Sequence, residues 1–213
     1  MKLSLPRSPR SLRSASTSLR SAFLLSAASL GLAAATTLSC ASTPDTDRVT
    51  DVIIPDFDTY VQYVDAYLTR RCGTLDCHGQ PGRAYRVYSR EGYRLYSIQD
   101  GGLVSGQQPT QPEEQRANFQ ALISIEPEEM TRLMARQGQN PNLLLFLRKP
   151  LRFNGERHKG GPSMAEDDPG YRCVVAWLSI PVVDGAGVPI PKAQRAKLSA
   201  NAVRSCADAT NFP

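Results

Sequence analysis

The chain has 213 residues, with 25 Lys+Arg against 20 Asp+Glu, two histidines and five cysteines. Five of the basic residues (Lys2, Arg7, Arg10, Arg13 and Arg20) and none of the acids fall within the first 40 positions, so the remainder balances at 20 against 20. With that segment set aside, the charge excess that would favour nucleic acid or an anionic membrane surface is gone.

The first segment has the order of a secretory signal, with a basic start and then an apolar, small-residue run from Ala22 to Ala35. That run is short for a transmembrane helix, which needs about 20 apolar residues. Thr37-Leu38-Ser39-Cys40 resembles a bacterial lipobox. The sequence therefore predicts a leader over 1–39 removed before a lipidated Cys40, a polar tether over 40–55, and a single domain over 56–213. A soluble export signal cut near Ala33 or Ala35, leaving Cys40 as an ordinary thiol, is the alternative. Ala41 rather than Asp after the cysteine points to the outer membrane. The expected location is the periplasmic side of a membrane, held there by the lipid.

Residues 56–71 place Phe57, Tyr60, Val61, Val64 and Leu68 at helical spacing, with Asp58, Gln62, Asp65 and Arg70 off the apolar stripe. From 79 to 106 the chain is rich in Gly, Tyr and Arg, and reads as a loop or hairpin insertion. Pro112 precedes a helix that turns Phe119, Leu122 and Ile123 inward. Pro127 opens another with acids in its first turn, on which Met130 and Met134 are core filler. Pro141 opens a short helix through Leu147, Pro169 one ending near Ile180, and Pro191 the last, after the turn-rich PVVDGAGVPIP. The expectation is an all-α, mainly helical domain of four to six helices with long loops.

With Cys40 assigned to lipid, four cysteines remain in an oxidising compartment. Cys173 and Cys206 lie on two predicted helices and could be joined; closing a loop of about 33 residues contributes about 3–4 kcal/mol on chain-entropy grounds. Cys72 and Cys77 stand directly before His78 in RCGTLDCHGQ. In covalent haem attachment two thiols add to the porphyrin vinyl groups and the following imidazole ligates the iron, usually from Cys-x-x-Cys-His. The vinyl positions fix the separation of the sulfurs and not the number of residues between them. Here four intervene, beginning with Gly73, which helps the chain bulge. A Cys72–Cys77 disulfide loop and a zinc site from Cys72, Cys77, His78 and His158 are the competing uses of these residues.

Two blocks carry a family resemblance. FDTYVQYVDAYLTRRCGTLDCHG resembles the opening of planctomycete-type and myxobacterial c-type cytochrome domains, in which a helix delivers the cysteines to the haem. NPNLLLFLRKPLRFNGERHKGGPSMAEDDPGYRCVVAWLSIP is similar to their second signature, through Leu144, Leu145, Lys149, His158, Gly160, Gly161, Tyr171, Trp177 and Leu178. The four-residue spacer and Lys159, where glycine is common, depart from the family pattern. The resemblance implies a cytochrome c-like fold, one covalent haem c on Cys72 and Cys77 with His78 on the iron, and Trp177 shielding the macrocycle.

For the opposite face of the iron the candidates are His158 and Met164. His158 is the other histidine of the chain, beside a glycine pair that lets backbone approach a planar group; Met164 lies in a loop of the kind that presents sulfur to haem. A thioether raises the potential relative to a second imidazole. The function expected is a mono-haem carrier of single electrons between redox protein partners, without enzymatic turnover of its own. Two alternatives stay open: a haem-free, disulfide-stapled lipoprotein acting as a binding or structural module, and a peroxidase-like haem enzyme with an open distal position.

Overall fold

The computed structural model describes residues 51–97, 102–103, 108–152 and 157–211. The expected leader, Cys40 and residues 40–50 of the tether lie outside the described residues, as does part of the 79–106 insertion.

Helix α1 is continuous from an α-helical start, Phe57–Thr59, through a π-helical stretch, Tyr60–Val64, into an α-helical end, Asp65–Cys72. Asp56 caps it, accepting hydrogen bonds from Thr59 N and Oγ1 at 2.8 Å each. The π stretch corrects one sequence expectation. Asp65 was placed off the buried stripe, but it is 2% exposed. The Asp65 N–H bonds back to the Tyr60 carbonyl, a five-residue step that rotates everything after it relative to a regular helix. Tyr60, Val64, Tyr67 and Leu68 then face the core together with the Asp65 carboxyl.

Residues 73–95 follow as turns and extended chain, and a short antiparallel ribbon pairs β1 (Tyr96–Ser97) with β2 (Gly102–Leu103). Helices α2 (Pro112–Ile123) and α3 (Pro127–Ala135) both begin on the prolines expected. Phe119, Leu122, Ile123, Met130 and Met134 are buried as read from the sequence. The Pro141 element divides into a 3-10 turn, Pro141–Leu143, and one α-helical turn, α4 (Leu145–Arg148). Helix α5 spans Pro169–Leu178, capped by Asp168, whose side chain accepts from Gly170 N at 2.7 Å.

The last helix, α6, spans Ala200–Asn211 and does not begin at Pro191. Only a 3-10 turn, Lys192–Gln194, follows that proline. The segment has no apolar stripe to bury, and it lies extended where the Arg195 guanidinium donates to Asp56 Oδ2 at 2.8 Å and to the Ile190 carbonyl at 3.1 Å.

The fold is mainly α-helical, and among the described residues no helix is long and apolar enough to cross a membrane. Cys173 on α5 and Cys206 on α6 form a disulfide, as expected. The core lies between α1, α2, α3, α5 and α6. At its centre Tyr60 packs against Trp177 at 5.5 Å and Phe119 at 5.2 Å between ring centroids.

Candidate functional site

Helix α1 ends on Cys72, and Gly73 caps it with its N–H on the Thr69 carbonyl. The chain then folds into one tight turn. Cys77 N and Gly79 N both donate to the Thr74 carbonyl, at 3.0 and 2.9 Å, and His78 N donates to the Cys72 carbonyl at 2.9 Å. The four intervening residues thus return the second cysteine and the histidine to the end of the helix that carries the first cysteine. Glycine is required for this closure: a Cβ on Gly79 would lie 2.0 Å from the Gly73 carbonyl oxygen, and one on Gly92 would lie 1.9 Å from the same atom. The Ser89 hydroxyl caps that oxygen, donating at 2.5 Å.

Cys72 and Cys77 are both free thiols and half-buried. Burial pushes the Cys72 thiol up to about 12, the neighbouring Cys77 acting in the same direction against the Arg71 charge. At neutral pH it is therefore protonated.

The His78 imidazole is held from its Nδ1 side, where the Tyr85 carbonyl lies at 2.8 Å, and the Tyr85 ring packs on it at 4.9 Å. Burial lowers the His78 pKa, and the charges of His158, Arg83 and Lys149 lower it further, opposed by the Tyr85 carbonyl. The neutral ring donates through Nδ1–H and keeps the Nε2 lone pair, the form in which a histidine binds a metal. His158 repeats the arrangement. Its Nδ1 lies 2.8 Å from the Gly161 carbonyl, in a turn where Gly160 and Gly161 both take positive φ, 113° and 87°. The two imidazoles come from distant parts of the chain and lie with ring centroids 6.0 Å apart, tilted by 33°.

The other sequence candidates lie elsewhere. Met164 is 4% exposed, belongs to the core cluster and pairs through its backbone with Leu151. Trp177 is fully buried among Tyr60 and Phe119, and its Nε1 donates to the Asp56 carbonyl at 2.8 Å. Its position follows from core packing and from anchoring the start of α1. Among the described residues no three of His, Cys, Asp and Glu gather as a metal cluster, so the two thiols and two imidazoles do not form a compact four-ligand set.

Sequence reasoning missed the residues that hold the loop. The Asn118 side chain clamps Tyr88 from both sides, accepting from its N–H at 2.7 Å and donating to its carbonyl at 2.9 Å. Val87 N donates to the His78 carbonyl at 2.9 Å, so the clamp acts one residue from the backbone that orients the imidazole. Asn118 also donates to Asp65 Oδ1 at 3.3 Å, and the Tyr60 hydroxyl donates to the same oxygen at 2.9 Å. Glu114 is 1% exposed and receives Arg94 in a two-point ion pair, Nε at 2.8 Å and Nη2 at 2.7 Å. One signal for both was available: Glu114 and Asn118 stand eight and four positions before Leu122, polar residues on an apolar stripe.

Two buried side-chain atoms among the described residues have no hydrogen-bond partner, Tyr67 Oη and Arg83 Nε. Tyr67 lies on α1 within electrostatic reach of Cys72, and Arg83 within reach of His78.

Comparison with protein-family models, curated proteins and solved structures finds no match for the chain.

Proposed function

We propose that the protein is a c-type cytochrome in which one haem is attached through Cys72 and Cys77 and ligated by His78 and His158, and that it carries single electrons between redox protein partners. The observation that supports this most is the pair of imidazoles. A metal held at about 2 Å from one nitrogen of each of two opposed rings sets their centroids roughly 6 Å apart, and the centroids here are 6.0 Å apart. Both Nδ1 atoms are engaged by backbone carbonyls, so both Nε2 atoms are available.

The thiols support the same reading. In a chain where Cys173 and Cys206 are joined, the closer pair in sequence stays reduced, and its loop brings both ends onto the end of α1 beside His78. The orphaned Tyr67 hydroxyl and Arg83 Nε fit a site that gains a further polar partner when loaded.

Haem, when bound, supplies a one-electron iron couple. The chain's own contribution is to fix the imidazole tautomers, keep His78 neutral and exclude water on the side packed by Tyr85. With His78 and His158 both holding the iron, no position would be left open for a substrate, which favours an electron carrier over a peroxidase. Leu75, at the turn between the thiols, is 57% exposed and offers an apolar contact for a transient partner. Such encounters bury less than about 1,200 Å². The export signal and the lipobox-like Cys40 support anchoring by lipid on the periplasmic side, at the outer membrane.

The test is production in a host that attaches haem, followed by a pyridine haemochrome spectrum and an intact mass. The expected result is one covalent haem with a six-coordinate low-spin spectrum, lost when Cys72 and Cys77 are both changed to Ser. A colourless exported protein with a Cys72–Cys77 disulfide would overturn the reading and favour the haem-free module.

A further inference from the structure

We propose that Arg83 is the residue that binds a carboxylate of the attached haem, one of its propionates; the proposal rests on the haem reading above. Arg83 follows His78 by five residues, on the loop whose Tyr85 carbonyl orients that imidazole. Its Nε is buried and donates to nothing. A guanidinium is a planar fork of donors that cannot lose its charge, so a buried and unused Nε–H calls for an oxygen acceptor, and a carboxylate meets it in the best geometry.

No carboxylate of the protein lines the space beside it. An open cavity beside Arg83 lies between the 82–88 segment and α2, lined by Gly82, Arg83, Arg86, Tyr88, Ala117 and Ala121 among others, with no acid in its lining. Arg86 adds a second positive charge, stacked on the Tyr88 ring at 4.9 Å. Two cations face one cavity without a protein counter-ion on its walls. A haem ligated by His78 brings two carboxylates on its periphery. A buried guanidinium with an unused Nε–H matches these carboxylates in charge and geometry better than the neutral Tyr67 hydroxyl does.

The test compares haem-loaded wild type with Arg83→Gln and Arg83→Lys. All three are expected to stain for covalent haem equally. Arg83→Gln lowers the reduction potential, because the oxidised, more positive haem is no longer disfavoured by the nearby cation, and Arg83→Lys restores most of the loss. The propionate bending band in the resonance Raman spectrum shifts in Arg83→Gln, which a distant charge effect would not produce. A free carboxylate is the other possible occupant: titrating ¹⁵N-labelled, reduced, haem-loaded wild type with succinate is expected to leave the Arg83 Nε–H signal unmoved. Haem-loaded variants with an unchanged potential and Raman band, or an Nε–H signal that moves with succinate, would overturn the proposal and leave the cytochrome reading intact. Failure of the wild type itself to take haem would remove both.

Discussion

The α5–α6 helix pair and the Gly73–Arg94 loop are held by different forces. The helix pair is joined covalently through Cys173 and Cys206 and packs apolar side chains around the fully buried Trp177. The loop has little apolar material of its own, chiefly Val87 and Tyr88. It keeps its shape through backbone hydrogen bonds, the glycine contacts around the Gly73 carbonyl, the Asn118 clamp and the Arg94–Glu114 pair. The candidate site residues, Cys72, Cys77 and His78, stand at the loop's start. A region shaped by directional bonds defines one geometry and can still leave thiols uncommitted, whereas a covalently closed region cannot.

The comparison is broken most severely from the apolar side. Trp177→Ala removes a fully buried ring and the donor that holds the Asp56 carbonyl at the start of α1, and is expected to cost about 3–5 kcal/mol. Urea unfolding measures this directly. Because Asp56 also caps α1, the helix that ends on Cys72, the loop should unfold in the same transition. A separate, earlier loop transition would show that the two regions are not one cooperative unit. Next in size is the disulfide. Changing Cys173 and Cys206 together to Ala opens a closure across 33 residues and is expected to lower stability by about 3–4 kcal/mol. Amide exchange in 73–79 should keep its order of protection, since no bond of that turn reaches either cysteine. Selective loss of protection there would couple the regions more tightly than the contacts indicate.

Two buried carboxylates sharpen the contrast through pH. Burial raises the Asp65 pKa above its ordinary value, and the hydrogen bonds from Tyr60, Asn118 and Gln115 only partly offset this. Burial also acts on Glu114, but there the hydrogen bonds from Arg94, Gln111 N and Leu95 N, with the Arg94 charge, prevail and hold the pKa below the ordinary value. The linkage signs are opposite. The stability tied to Asp65 is complete below the unfolded-state pKa and is lost as pH rises through the raised value. That tied to Glu114 is present above the unfolded-state pKa and is lost as pH falls through the lowered one. Asp65→Asn should therefore flatten the decline on the rising side of the stability profile, and Glu114→Gln the decline on the acid side. Urea midpoints across the acid-to-neutral range distinguish the two, and an unchanged profile for Asp65→Asn would mean that Asp65 is already ionised at little cost.

What could be read in advance follows the same division. The starts at Pro112, Pro127 and Pro169 were legible because a proline at the first helical position is a local signal. So was the disulfide, from two cysteines on predicted helices read as belonging to an exported chain. Pro191 gave the same signal without a helix behind it, because the next residues had no apolar face to bury. Asp65 was misplaced because a π turn changes the helical phase and leaves no mark in composition. His158 and Met164 could not be separated in sequence; which of them approaches His78 depends on how the 157–164 segment returns to the loop. The Asn118 clamp and the Arg94–Glu114 pair join positions 20 to 30 residues apart, and no periodicity encodes such partners.

The smallest expected effect contrasts two tyrosines on α1. The Tyr60 hydroxyl donates to Asp65 at 2.9 Å inside the core, and Tyr60→Phe leaves that carboxyl short of a partner, at a cost of about 1–3 kcal/mol. Tyr67 is equally enclosed, but its hydroxyl has no partner. Its ring fits only because residue 170 is glycine; a Cβ there would lie 2.0 Å from the ring. Tyr67→Phe removes an unsatisfied oxygen and leaves the ring in place. The haem-free protein should therefore be unchanged or up to about 1 kcal/mol more stable. A loss beyond about 1 kcal/mol in the Tyr67→Phe variant would mean that the hydroxyl has a partner in solution, which the enclosed ring otherwise lacks.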